Sequence, residues 1–154
     1  MRINRRTMQI GIAISLVLLS GHSTWAQECS NKTTEGRYVI VGEGYVSFGP
    51  NAPLVPAKTL GIVTADANGV YTGDGIDNVG GQVFVSHIVG TQHLNADCTG
   101  SITYKSTSNG QPAPDISFTF VVSEHGNRID GLSVTAGGML SGVLRRLEEW
   151  RCDR

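Results

Sequence analysis

Glu43 and Tyr45 are the residues best spaced to do chemistry together. In an extended chain alternate side chains share a face, so a carboxylate and a phenol two residues apart stand side by side. The same alternation places Val39, Val41 and Ser47 with them, and Tyr38, Ile40, Gly42, Gly44 and Val46 on the opposite face. If the Glu43 face lined an apolar cavity, the carboxylate and phenol would be a general acid–base pair of the kind that a cofactor-independent cyclase or isomerase needs. If it faced water, Glu43 would be an ordinary surface charge, the commoner fate of a charged side chain.

Three other constellations hold residue types capable of chemistry. His87 and His93 lie six residues apart, on one face of an unbroken strand, with Asp97 beyond. A metal site there needs a third ligand converging from another strand, for which the sequence offers Asp74 or Asp77. Such a scatter reads as surface and turn chemistry, so neither a metal nor a cofactor is expected. Ser141 sits in Met139-Leu140-Ser141-Gly142, without the G-x-S-x-G elbow of a serine nucleophile. The cysteines Cys29, Cys98 and Cys152 allow one bridge and leave one thiol over, and spacing alone does not choose among the three pairings.

The chain opens with Arg2, Arg5 and Arg6 ahead of an apolar run from Ile10 to Leu19, followed by small and polar residues up to Ala26. That is the order of a secretory signal, so residues 1–26 are expected to be a removable signal peptide and 27–154 a single domain, secreted or periplasmic. The apolar run is shorter than the ~20 residues that span a bilayer, so no transmembrane segment is expected. Arg5-Arg6 followed by Thr7-Met8-Gln9 matches the twin-arginine signal only loosely. Ala26-Gln27-Glu28 before Cys29 is not a lipoprotein pattern, and Asn31-Lys32-Thr33 reads as a turn. Without the signal the chain holds 9 basic against 13 acidic residues, a net charge of −4. No basic run is interleaved with aromatics, which argues against a nucleic-acid partner.

The elements that must position these residues are strands. From Arg37 onward Val, Ile, Thr, Tyr and Phe come in short runs divided by Gly, Asn and Asp. Strands are expected near 37–48, 57–66, 69–78, 82–95 (with a bend or break at Gly90), 100–107, 115–123, 128–134 and 139–146. Ala67-Asn68-Gly69 and His125-Gly126-Asn127 are tight turns. Asn51 to Pro56 and Ser108 to Pro114 are longer loops, because proline removes ladder donors. No connection is long enough for a parallel crossover, so an antiparallel up-and-down meander of about eight strands follows. Runs such as Tyr38-Val39-Ile40-Val41 and Phe118-Thr119-Phe120-Val121-Val122 are apolar on both faces, which favours closure into a small all-β barrel whose outer face meets a ligand, a terminal segment or a second copy. A short C-terminal helix over Leu144 to Arg151 completes the expected fold.

The segment Gly90 to Ser101, GTQHLNADCTGS, is similar to a motif of small secreted bacterial proteins of unassigned function, in which N-x-D-C-T-G turns one strand into the next. Cys29-Ser30-Asn31, LGIVTADANG from Leu60 to Gly69, Phe118 to Ser123 with Gly126, and Gly138, Ser141 and Gly142 extend the resemblance over nearly the whole mature chain. The group resembles the allene-oxide-cyclase type of calycin-like barrel. The resemblance implies a Cys29–Cys98 disulfide, with Cys152 outside the pattern. The sequence departs from that pattern at Gln92 and His93, where a tyrosine is common. Three functions are therefore carried forward: a binder of a small apolar or amphipathic ligand or of a protein partner, a cyclase or isomerase using Glu43 and Tyr45, and a structural envelope or matrix component that forms homo-oligomers.

Overall fold

The computed structural model describes residues 28–49 and 51–147. The expected signal peptide and Cys152 lie outside them. Eight antiparallel strands follow one another: β1 (Gly36–Val46), β2 (Val55–Ala65), β3 (Val70–Val79), β4 (Gln82–Leu94), β5 (Thr99–Ser108), β6 (Gln111–Ser123), β7 (Arg128–Ser133) and β8 (Gly138–Arg146). Each pairs with the next, and β8 pairs with β1 to close the barrel. Closure leaves no strand edge open, which resolves the hazard of a meander with two unpaired ends.

Tight connections set the register. Asp66 accepts hydrogen bonds through Oδ1 from the backbone of Asn68 and Val70, and Gly69 takes φ +86°. The β6–β7 turn holds Glu124, His125 and Gly126 in left-handed conformations. The loop expected over Ser108 to Pro114 is instead a two-residue turn, Asn109-Gly110, with φ 50° and 78°. The prolines hid β6 from view. Pro112 sits opposite Thr107 at its start, and the register slips between Tyr104 and Ser106 opposite Pro114-Asp115. At such a bulge a missing donor costs the ladder little. β2 likewise begins at Val55, inside the stretch expected as loop.

β4 runs through Gly90 without a break. A Cβ there would stand 2.5 Å from the Thr103 carbonyl oxygen and 2.6 Å from Tyr104 Cβ, so the glycine lets β5 approach closely. The helix expected over 144–151 does not start at its predicted position. Leu144 to Arg146 complete β8, with the Arg146 N–H bonded to the Asn127 carbonyl, and 148–151 lie outside the described residues.

Strand alternation sends Tyr38, Ile40, Val63, Tyr71, Leu94, Ile102, Phe120, Val122, Ile129 and Leu144 inward, where all but Ile40 are buried and Ile40 packs against them. Each large aliphatic or aromatic residue so buried contributes on the order of 1.5–3 kcal/mol. The core lies toward one end of the barrel, which the N-terminal segment closes. Asn31–Thr34 form one 3-10 turn there, fully buried Thr34 bonds to Gln92, and Asn31 Oδ1 accepts the Leu94 N–H. The Cys29–Cys98 disulfide fastens this floor to the β4–β5 turn.

Candidate functional site

Above the floor the interior is not filled. A chamber of about 90 Å³ is lined by inward residues including Ile40, Ile88, Phe118 and Leu140, with Tyr71 and Tyr104 among them. It leads to a wider space of about 230 Å³ at the opposite end, which shares Ile40, Ile88, Tyr104 and Leu140 and is bordered by Ser86, Asp77 and the β1–β2 and β7–β8 connections. The result is a cup with a closed floor and a wide mouth. Glycines make the room: Gly42 of β1 faces Gly142 of β8, which in turn faces Gly131 of β7, so three adjacent strands carry no side chain into the lumen at that level.

The polar groups in the chamber are few, and the mouth adds others at its border, Ser106, Ser108, Asp115, Ser133 and Thr135 among them. Tyr71 is 5% exposed and Ser86 5%, yet among the described residues neither side chain has a hydrogen-bond partner. Because no buried polar atom is left both inaccessible and unpaired, these hydroxyls open onto the cavity. Burial pushes the Tyr71 phenol well above its ordinary range, with smaller contributions from Tyr104 and Tyr38. Tyr104 is pushed up to about 12, first by burial and then by the carboxylate of Asp77. Asp77 also points inward from β3 and accepts a 2.7 Å hydrogen bond from the Thr59 hydroxyl. Tyr104 stacks on Phe118 with ring centroids 6.0 Å apart. Where chamber and mouth join, the wall thus offers phenol donors, the hydroxyls of Thr59 and Ser86, the Asp77 carboxylate and an aromatic face.

Glu43 and Tyr45 are elsewhere. The Glu43 side chain is 71% exposed and reaches Lys58 on the outer surface at 3.9 Å, and Tyr45 is 51% exposed. The strand that carries them turns Tyr38, Ile40 and Gly42 inward, so the condition on which the pair would do chemistry in the lumen is not met. His87 also faces outward, with Nδ1 2.8 Å from Asp74 Oδ1. His93 is exposed on the same face, and among the described residues no three His, Cys, Asp or Glu side chains converge as a metal site would require. Ser141 is exposed on β8, where its hydroxyl lies 3.4 Å from the Glu43 carbonyl oxygen.

The Asn95-to-Gly100 motif is accounted for by structure. Asp97 Oδ1 accepts the Thr99 N–H at 3.0 Å and the Thr99 hydroxyl at 2.6 Å, bonds that hold its carboxyl below the usual carboxylate range. Cys98 takes φ +67° and bridges to Cys29, the pairing the resemblance implied. Any Cβ at Gly100 would meet Phe120 at 2.5 Å. The motif builds the turn and staples the floor.

Sequence reasoning missed Tyr71, Tyr104, Ser86 and the inward position of Asp77. The signal was present in the two-residue spacing Tyr71, Gly73, Gly75, Asp77 and in Ile102, Tyr104, but it becomes legible only once Tyr38 is known to point inward. No family model matches the chain, nor does any curated protein or solved structure. The architecture is an eight-stranded antiparallel barrel compatible with the calycin-like class.

Proposed function

We propose that this chain is an exported barrel that receives a small apolar or amphipathic molecule in its lumen. The observation that carries the reading is the cup itself: an apolar chamber closed at the floor, wide at the mouth, with the hydroxyls of Tyr71 and Ser86 open to the cavity and, among the described residues, unpartnered. A site that binds an amphipath needs this combination of apolar wall and a few fixed polar groups. Export is supported by the signal-like order of residues 1–26 and by the Cys29–Cys98 disulfide, which suits an oxidising space. Among the described residues no helix is long and apolar enough to cross a membrane.

The test is a neutral apolar fluorophore, N-phenyl-1-naphthylamine, titrated into the mature protein and into Gly142→Leu. A Cβ at Gly142 meets nothing closer than the Val41 carbonyl oxygen at 3.7 Å, so the leucine enters the chamber without disturbing the backbone. The wild type is expected to bind the dye and the variant to bind it about tenfold more weakly or worse, a loss of ~1.4 kcal/mol, with an unchanged unfolding midpoint. Equal binding by both, or none by the wild type, removes the lumen reading.

A second reading has an observation of its own, on the outside of the barrel. Val143, Val41, Leu60, Ile76 and Val85 are direct register partners across β8, β1, β2, β3 and β4, forming one apolar row. Of these Val41 is 54%, Leu60 60%, Ile76 55% and Val85 64% exposed. The row ends at Asp130 of β7, opposite Val143, and at Asn109 beyond Val85, so it is a patch over five strands and not the encircling band of a lipid-embedded barrel. At ~4.8 Å per strand it runs about 20 Å, and Val39 and Ile62 widen it on one flank. A surface of several hundred Å² of this kind marks an interface. Its occupant on this reading is a second copy of the chain, because an uncharged row meets its own image without burying an unpaired charge.

A further inference from the structure

We infer that the molecule held in the lumen carries a cationic head, an alkylammonium or similar group, which sits between the Asp77 carboxylate and the aromatic face of Tyr104 while its apolar body fills the chamber below. This rests on the lumen reading and deepens it.

The first argument is charge. The residues lining the chamber and its mouth include no Lys, Arg or His. They do include carboxylates, of which Asp77 turns its side chain inward and Asp115 stands at the rim. Asp74 and Glu43 also border these spaces, but their side chains lie on the outer face against His87 and Lys58. The inward field is therefore of one sign. An anionic head would have to approach a carboxylate in a low-dielectric cup with no countercharge, whereas a cation finds its partner already placed.

The second argument is hydrogen bonding. The Thr59 hydroxyl donates to Oδ1 of Asp77, and among the described residues no donor reaches Oδ2. Ser86, 5% exposed, turns an unpartnered hydroxyl into the same space from the neighbouring strand, in line with Gly75 of β3, where a Cβ would come 3.3 Å from its Oγ. A head that donates hydrogen bonds would satisfy both.

The third is the aromatic pair. Tyr104, in the wall shared by the chamber and the mouth, stacks at 6.0 Å on Phe118 of the chamber. A ring face presented beside a carboxylate is a favourable seat for an ammonium, through attraction of the cation to the ring quadrupole. The chamber proper is walled mainly by apolar side chains that the mouth does not share, Ile102, Phe120, Ile129 and Leu144 among them, which sets the orientation: head at the mouth, body toward the floor.

The experiment is displacement of N-phenyl-1-naphthylamine by three probes with one tail: octylammonium, octyl sulfate and octanol. The cation is expected to displace the dye at a concentration about tenfold or more below that of the sulfate, with octanol between them. In Asp77→Asn the cation's advantage over the sulfate should fall to about twofold while octanol is unchanged, and Asp74→Asn on the outer face should leave all three as in the wild type. The wild-type comparison decides the matter even if the Asp77 variant does not fold. Sulfate binding as well as or better than ammonium, with octanol bound, overturns the cationic head and leaves the lumen reading standing. Survival of the preference in a folded Asp77→Asn likewise overturns it. Failure of octanol and dye to bind at all overturns the lumen reading and this inference together.

Discussion

Arg146 donates a hydrogen bond from Nη2 to the Tyr38 hydroxyl at 2.9 Å, and the two residues together bind the floor of the barrel to its wall. The phenol in turn donates to the Gly126 carbonyl at 2.8 Å. The guanidinium also donates to the Thr33 carbonyl at 2.8 Å and the Glu35 carbonyl at 2.6 Å, and lies 5.2 Å from the Tyr38 ring centroid. One side chain at the end of β8 thus caps carbonyls of the N-terminal 3-10 turn and of the β6–β7 turn. Replacing it strands those carbonyls. Arg146→Ala is expected to cost about 2–4 kcal/mol in urea unfolding, and Arg146→Lys to recover only part, since an ammonium lacks the planar fork that reaches several acceptors at once. A loss below about 0.5 kcal/mol for the alanine variant would show that the floor does not depend on this group.

The disulfide acts on the same floor from its other side. Cys29 and Cys98 are 69 residues apart in sequence, so the bridge closes a long loop of the unfolded chain. Loop-closure entropy for that length corresponds to roughly 4 kcal/mol, and engineered or removed bridges commonly show 2–4. The double variant Cys29→Ala, Cys98→Ala should lower the urea midpoint accordingly. Hydrogen exchange should also rise first in Asn31–Thr34, because the turn then hangs on hydrogen bonds alone, those to Gln92, Leu94, Arg146 and Tyr38.

Three phenols in the interior set the alkaline limit. Burial raises Tyr38, Tyr71 and Tyr104 above the ordinary phenol value, with Arg146 partly offsetting the effect at Tyr38, and Tyr104 reaches about 12. The unfolded chain releases these protons near pH ~10. Between that pH and the folded values the native state binds more protons than the unfolded one, so the contribution is intact below pH ~10 and is lost as pH rises through the folded values. The slope is up to ~1.4 kcal/mol per pH unit for each protected phenol. Urea midpoints measured from pH ~9 to pH ~12 should fall progressively, and Tyr104→Phe should flatten that fall. A midpoint independent of pH over this window would mean that the phenols are not protected.

Much of this fold is legible in the sequence because strand alternation and turn chemistry are local. Ala67-Asn68-Gly69 and His125-Gly126-Asn127 announce their turns, and the eight expected strands match the eight observed to within a few residues except where Pro112 and Pro114 masked the start of β6. The site is less legible for a geometric reason. Glu43 and Tyr45 alternate correctly with Tyr38, but which of the two faces is inner depends on pairing with β2 and β8, a long-range fact. Tyr71 and Asp77 come from β3 and Tyr104 from β5, two strands that are not neighbours, so the three meet only when the sheet curls into the barrel. The Asp97-Cys98-Thr99-Gly100 motif has the opposite character: its residues find their partners within a few positions or across one bridge, so it marks the fold and leaves the lumen chemistry unstated.

The outer row gives the last prediction. Leu60 is its centre, flanked in register by Val41 and Ile76, and 60% of its surface is open to water in the single chain. If two copies meet there, the mature protein should sediment as a dimer at micromolar concentration. Leu60→Glu should then return it to a monomer, since a carboxylate at that point would be buried against apolar side chains with no countercharge. The substitution lies on the outer face and removes no lumen contact, so monomer stability should stay within about 0.5 kcal/mol and dye binding should be unchanged. That separation matters: a variant that loses the dimer but keeps the dye assigns the two faces of the barrel to two jobs. One that loses both ties the cup to the assembly. A wild type that sediments as a monomer throughout removes the second copy as the occupant of the row.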